Sequence, residues 1–195
     1  MSVAVSPRPA VIGTAVWLAA ATAVGATGAL ASLRTGPQVV ALVLTISAVL
    51  VSTRVAAVRE SVDALSLRAL LAPHVARFIG IVFLLMGARA ELSTLFAERA
   101  GWGDIAAAAG ALLLILIGSA TAARRRMLLL WNAFGVLDLL VAVGTAAIVV
   151  QRGDAPGMQP LARLPLILVP IFAVPLLFAA HVAIFRRLRD TRDAR

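Results

Sequence analysis

Apolar residues dominate six stretches of this chain: Pro9 to Leu33, Gln38 to Ser52, His74 to Ala90, Asp104 to Ala123, Met127 to Val150 and Pro165 to Phe185. They lie near the ~20 residues a helix needs to cross the hydrocarbon of a bilayer. The pattern predicts an all-α transmembrane helix bundle of six spans forming one domain over residues 1–195. Between the second and third stretches the pattern changes. From Arg54 to Ala72, Val55, Val58, Val62, Leu65 and Ala69 recur at helical spacing, while Arg54, Arg59, Glu60, Asp63 and Arg68 take the other side. That segment, residues 54–72, reads as an amphipathic helix on the membrane surface. The alternative is that the second span continues as a longer tilted helix with a snorkelling Arg54.

The gaps between the stretches are not equivalent. Arg8, Arg54, Arg59, Arg68, Arg77, Arg124, Arg125, Arg126, Arg186, Arg187, Arg189, Arg192 and Arg195 fall on one side of the alternation. Arg34, Arg89, Arg99, Arg152 and Arg163 fall on the other, thirteen against five. In short loops such an excess marks the cytoplasmic face, so both termini are expected in the cytoplasm. Reporters active on one side only, fused after Arg195 and within residues 151–157, should give opposite signals. A periplasmic C-terminus would overturn the span count.

Composition limits the function. At 62% hydrophobic residues and a mean hydropathy of +1.00, a soluble domain would hold more apolar surface than its core can hide, so lipid must cover the excess. The net charge of +9 would suggest nucleic acid in a soluble protein, but arginines at helix ends meet anionic headgroups instead, and no nucleic-acid partner is expected. Every basic residue is Arg and none Lys, which fits the codon usage of a GC-rich bacterium, and the spans with their arginine asymmetry are expected in its inner membrane. The absence of cysteine removes disulfides and thiolate chemistry. Ala29-Leu30-Ala31 after the first stretch resembles a signal cleavage site, yet about 25 apolar residues exceed the ~7–15 of a signal core, and an uncleaved span is expected. Ala21, Gly25 and Ala29 have helix-packing spacing.

Polar residues inside the spans are the better guide to function, because each costs about 2.5–3.5 kcal/mol at a helix centre. Asp138 lies eleven residues into the fifth stretch, or about 16 Å, near the midplane, with no positive residue inside that span. Trp131, Gly135, Asp138 and Ala142 form one stripe, whose small members admit a neighbouring helix. A carboxyl without a partner at that depth is expected to be a proton-titrating group or a hydrogen-bonded lock between helices. A second cluster is expected in the inner leaflet, where His74, Arg77, Asn132 and His181 would form a cytoplasm-facing polar pocket. Two histidines without motif spacing specify neither a metal nor haem, and no cofactor is expected. Asp104 is expected to cap the fourth span after a loop over residues 91–103, with Trp102 as interface anchor. Glu91, Glu98, Asp104 and Asp154 match no cation-binding loop. Pro170 and Pro175 lie inside the sixth stretch and predict a kink or hinge.

Taken in order, Arg77-Phe-Ile-Gly80, Phe96-Ala-Glu-Arg-Ala-Gly-Trp-Gly-Asp104, Trp131-Asn-Ala-Phe-Gly-Val-Leu-Asp138 and Pro170-Ile-Phe-Ala-Val-Pro175 with His181 resemble a family of uncharacterised bacterial multipass membrane proteins. The resemblance covers the C-terminal two thirds. Where such proteins tend to have Leu-Pro before the outer Phe-Ala, this chain reads Glu91-Leu92-Ser93. The resemblance implies that Asp104, Trp131, Asn132, Asp138 and His181 belong together, and it implies no substrate. The favoured reading is a small proton-linked carrier or permease-like protein centred on Asp138, with a proton or small molecule as ligand. The alternative is a non-catalytic assembly subunit with itself or another membrane protein as partner. No Ser/His/Asp set, HExxH or phosphate loop points to an enzyme.

Overall fold

The computed structural model of the protein describes residues 6–32, 36–118, 121–153 and 155–193. Arg34, Asp154 and Arg195, assigned above to loops and the C-terminus, lie outside them. Every regular element among the described residues is helical: α1 (Arg8–Thr27), α2 (Gly36–Arg54), α3 (Ala56–Asp63), α4 (Leu67–Leu71), α5 (Gly80–Ala88), α6 (Thr94–Ile117), α7 (Ala122–Arg152) and α8 (Val174–Asp193). A 3-10 helix over Ala72–Ile79 joins α4 to α5, and a π-helix over Val169–Ala173 leads into α8. Six helical stretches are long and apolar enough to cross a membrane: Arg8–Thr27, Pro37–Arg54, Leu67–Ala88, Thr94–Ile117, Ala122–Arg152 and Val169–Arg189. Large side chains such as Leu116 and Leu130 stand more than 70% exposed on these helices, as a lipid-facing surface requires.

Two expected boundaries are corrected. The fourth span starts at Thr94, ten residues before Asp104, so most of the expected outer loop is helix. The charges that suggested a loop occupy one face: Glu98 and Arg99 are exposed, whereas Phe96, Ala97, Ala100, Gly101 and Asp104 recur at helical spacing and are buried. Asp104 therefore sits deep inside α6 and caps nothing. The third span starts at Leu67, where Ser66 caps α4 by accepting from the Ala69 amide at 3.1 Å. Only α3 remains of the expected surface segment 54–72. Arg77 moves from the start of the span to ten residues inside it, or about 17 Å with half of that path in the 3-10 segment. With Arg77 set deep in a span, the asymmetry of the remaining arginines becomes twelve against five, thirteen less Arg77.

The arginine-rich end is held by backbone capping. The last carbonyls of a helix lack partners within it, and a guanidinium supplies donors and favourable charge there. Arg124 donates to the Leu114 carbonyl near the end of α6 at 3.0 Å, and Arg186 to Ser52 near the end of α2 at 2.8 Å. Arg125 reaches the Leu188 carbonyl of α8 at 2.7 Å. Arg187 donates to the carbonyls of Asp63 and Leu65 at 2.6 Å each, and Arg186 also pairs with the Asp63 carboxylate. These bonds tie the ends of α2, α3, α6 and α8 at one end of the bundle.

In the interior, α6 packs against α5, the 3-10 segment and α7, while α8 packs against α2 and α7. The least buried span is α1, which rests on α8's approach through an edge-on Trp17–Phe172 contact at 5.3 Å. There Gly25 is the needed residue, since a Cβ would come within 2.7 Å of Ile167 Cγ2.

Candidate functional site

A 3-10 helix repeats every three residues, so side chains at i and i+3 eclipse. On the segment Ala72–Ile79 this stacks His74, Arg77 and then Gly80 on one face, turned toward α6, α7 and α8. An α-helix would spread them over about 100° per residue and part them. Gly80 permits contact with α6, because a Cβ there would collide with the Gly101 carbonyl oxygen.

Arg77 is 2% exposed and its guanidinium is engaged on three nitrogens. Nε donates to Asp104 Oδ1 of α6 at 2.7 Å, Nη2 donates to Asp138 Oδ2 of α7, and Nη1 donates to the Gly135 carbonyl at 3.3 Å. Asp138 thus bonds across helices to a cation that the sequence reading had not assigned to it. Span five carries no cation in its own interior, but span three supplies one at the same depth. Burying charge is tolerable only with such compensation, since an isolated ion in the hydrocarbon would be neutralised or displaced.

One turn away lies an aromatic and amide group. The His181 Nδ1 and Asn132 Oδ1 atoms are 2.6 Å apart, and Asn132 Nδ2 donates to the His181 carbonyl at 3.0 Å. The His74 and His181 rings lie 4.3 Å apart between centroids, and His74 stands edge-on to Trp131 at 4.9 Å. Trp131 Nε1 donates to the Ala107 carbonyl at 2.9 Å. All seven residues singled out in sequence are thus in one contiguous cluster, namely Asp138, Asn132, Trp131, His181, Arg77, His74 and Asp104. Their arrangement differs from the expected one. His74, Asn132 and His181 are fully buried, so no cytoplasm-facing pocket opens at the histidines. The described residues contain no group of three or more His, Asp or Glu side chains placed to hold a metal ion.

The opening lies on the other side of Arg77. A cavity of about 450 Å³ runs among Phe83, Phe96, Leu139, Ala146, Leu161 and Phe172, and Leu18 of α1 also lines it. Among the described residues, Arg77 and Asp104 are the only charged ones lining it. Pro170 also lines it. Having no N–H, Pro170 cannot make the backbone bond of a regular α-turn, and the chain there widens into the π-helix. Pro175 is the second residue of α8 and is buried.

Glycines make the cluster possible, and two of them, Gly103 and Gly110, were given no packing role in the sequence reading. A Cβ at Gly103 would overlap the Asp138 carboxylate, and one at Gly135 would lie 2.5 Å from His181 Cε1. At Gly110 it would lie 2.5 Å from Trp131 Cδ1. Their signal was Gly101-Trp-Gly-Asp104 with Gly110, a small face on α6 broad enough for helices on both flanks.

Fold and site together define a six-span helical membrane protein with an ion cluster buried in its bundle. Residues 35–189 match the family described as "Domain of unknown function (DUF8737)", and the chain belongs to that family. The matched region contains the whole cluster and leaves α1 outside. No curated protein and no solved structure matches the chain.

Proposed function

We propose that the protein is a small proton-linked carrier of a bacterial plasma membrane, with both termini in the cytoplasm and no catalytic activity of its own. The supporting observation is one guanidinium shared by two buried carboxylates beside an apolar cavity. One positive charge balances one negative charge. With both carboxylates ionised the cluster keeps one negative charge, and a proton or a cationic ligand restores neutrality. Ionisable groups at this depth in a bundle mark ion or substrate pathways in membrane proteins generally. The π-helical turn at Pro170, in the cavity wall, is where span six can bend as the occupant changes.

Asp138→Asn separates the structural role of the carboxyl from its charge. The amide keeps the size and an acceptor for Arg77, and it leaves Arg77 and Asp104 as a neutral pair. Stability should change by no more than about 1–2 kcal/mol. Proton uptake and pH-dependent binding or flux in proteoliposomes should be lost. Full retention of both would contradict the carrier reading and leave a non-catalytic subunit of a membrane assembly in its place.

A further inference from the structure

The cavity beside Arg77 has a chemical polarity of its own. Its volume falls within the ~300–1,000 Å³ typical of small-molecule sites, and its walls are apolar except at the end formed by Arg77 and Asp104. At that end three of the five guanidinium N–H groups are engaged. Each guanidinium nitrogen of Arg77 already donates, to Asp104, to Asp138 and to the Gly135 carbonyl. The acceptors are not all used. Asp104 Oδ1 takes the Arg77 bond, whereas its Oδ2 has no hydrogen-bond partner among the described residues. Asp104 is about nine-tenths buried and lines the cavity. An anion entering the cavity would meet a surplus of negative charge with both carboxylates ionised. A cation would meet a free carboxylate oxygen and the one charge the cluster lacks.

We infer that the cavity binds a lipophilic monocation, its apolar body among Phe83, Phe96 and Phe172 and its positive charge against Asp104. This rests on the carrier reading and names its substrate class. Access from the bilayer suits such a ligand, because the wall formed by Leu18 belongs to α1, the span with the least burial. Cation and proton then compete for the same surplus charge, so binding strengthens as pH rises.

Tetraphenylphosphonium and tetraphenylborate have nearly the same shape and opposite charge, which makes them suitable probes of the full-length protein in nanodiscs. Saturable binding of the phosphonium, and none of the borate above empty nanodiscs, is expected. Asp104→Asn should weaken phosphonium binding by at least about tenfold. Ala146→Phe, which fills the cavity away from the ions, should do the same and covers the case in which Asp104→Asn fails to fold. Equal or tighter binding of the borate overturns the inference. So does the absence of phosphonium binding in a protein whose proton uptake still depends on Asp138, a result that spares the carrier reading. Phosphonium binding with the same pH dependence in wild type and Asp138→Asn upholds the site and removes proton linkage through Asp138.

Discussion

Arg77→Leu is expected to cost about 3–5 kcal/mol, because it leaves two carboxylates buried without their cation. Asp104 and Asp138 meet through that guanidinium alone, so its loss places like charges on α6 and α7 in a medium that screens them poorly. The variant should unfold in mild detergent at temperatures the wild type survives, followed by gel filtration and by the fluorescence of Trp131, which packs beside the cluster. The triple variant Arg77→Leu, Asp104→Asn, Asp138→Asn removes all three charges and should recover most of the loss. Lost packing alone would give a triple variant no more stable than the single one. Recovery in the triple variant identifies charge compensation as the cause.

The second large effect is steric. Gly103→Leu should destabilise the bundle by more than about 3 kcal/mol, since even a methyl group at that position occupies the place of the Asp138 carboxylate. To make room, α6 and α7 must separate, and Asp138 then loses Arg77 as well. Gly144 lies on α7 with nothing within 4 Å of a built Cβ. Gly144→Ala should leave stability unchanged or raise it by up to about 1 kcal/mol through helix propensity. Similar losses at both positions, measured by thermal unfolding, would show that close approach at Gly103 is not what the fold needs.

The span count was readable because hydrocarbon thickness and loop arginines constrain it from two directions. The ends of spans three and four were not, because charge inside a span resembles a loop when its partner is unknown. Glu98, Arg99 and Asp104 lie within seven residues and were grouped as polar, yet on a helix two face outward and the third faces the core. Asp138 was recognisable as a deep carboxyl by counting along one helix. Its partner was not, since Arg77 reaches that depth only when the span starts at Leu67. The face it shares with His74 and Gly80 exists only in a three-residue repeat, which a search for α-helical spacing passes over. The two histidine rings lie together, but the seal around them depends on Gly110 and Gly135, whose contacts are visible only once α6, α7 and α8 are packed.

The π-helical turn illustrates a different gap. Pro170 and Pro175 announced irregular backbone in span six, and the structure places the irregularity in the wall of the cavity. Proline positions locate a break along the chain. They do not say which neighbours the break will face, because that is decided by side chains on α1, α6 and α7.

The most direct test of the ion cluster is the distance from the Arg77 guanidinium to the carboxyl carbons of Asp104 and Asp138, measured by dipolar recoupling in solid-state NMR on labelled protein in lipid bilayers. The Asp→Asn variants assign the two carboxyls. A guanidinium shared by both requires two short distances, each within about 5 Å. An Asp138 carboxyl beyond that range, with Arg77 paired to Asp104 alone or facing the headgroups, would contradict the shared cluster and the proton-linked function built on it.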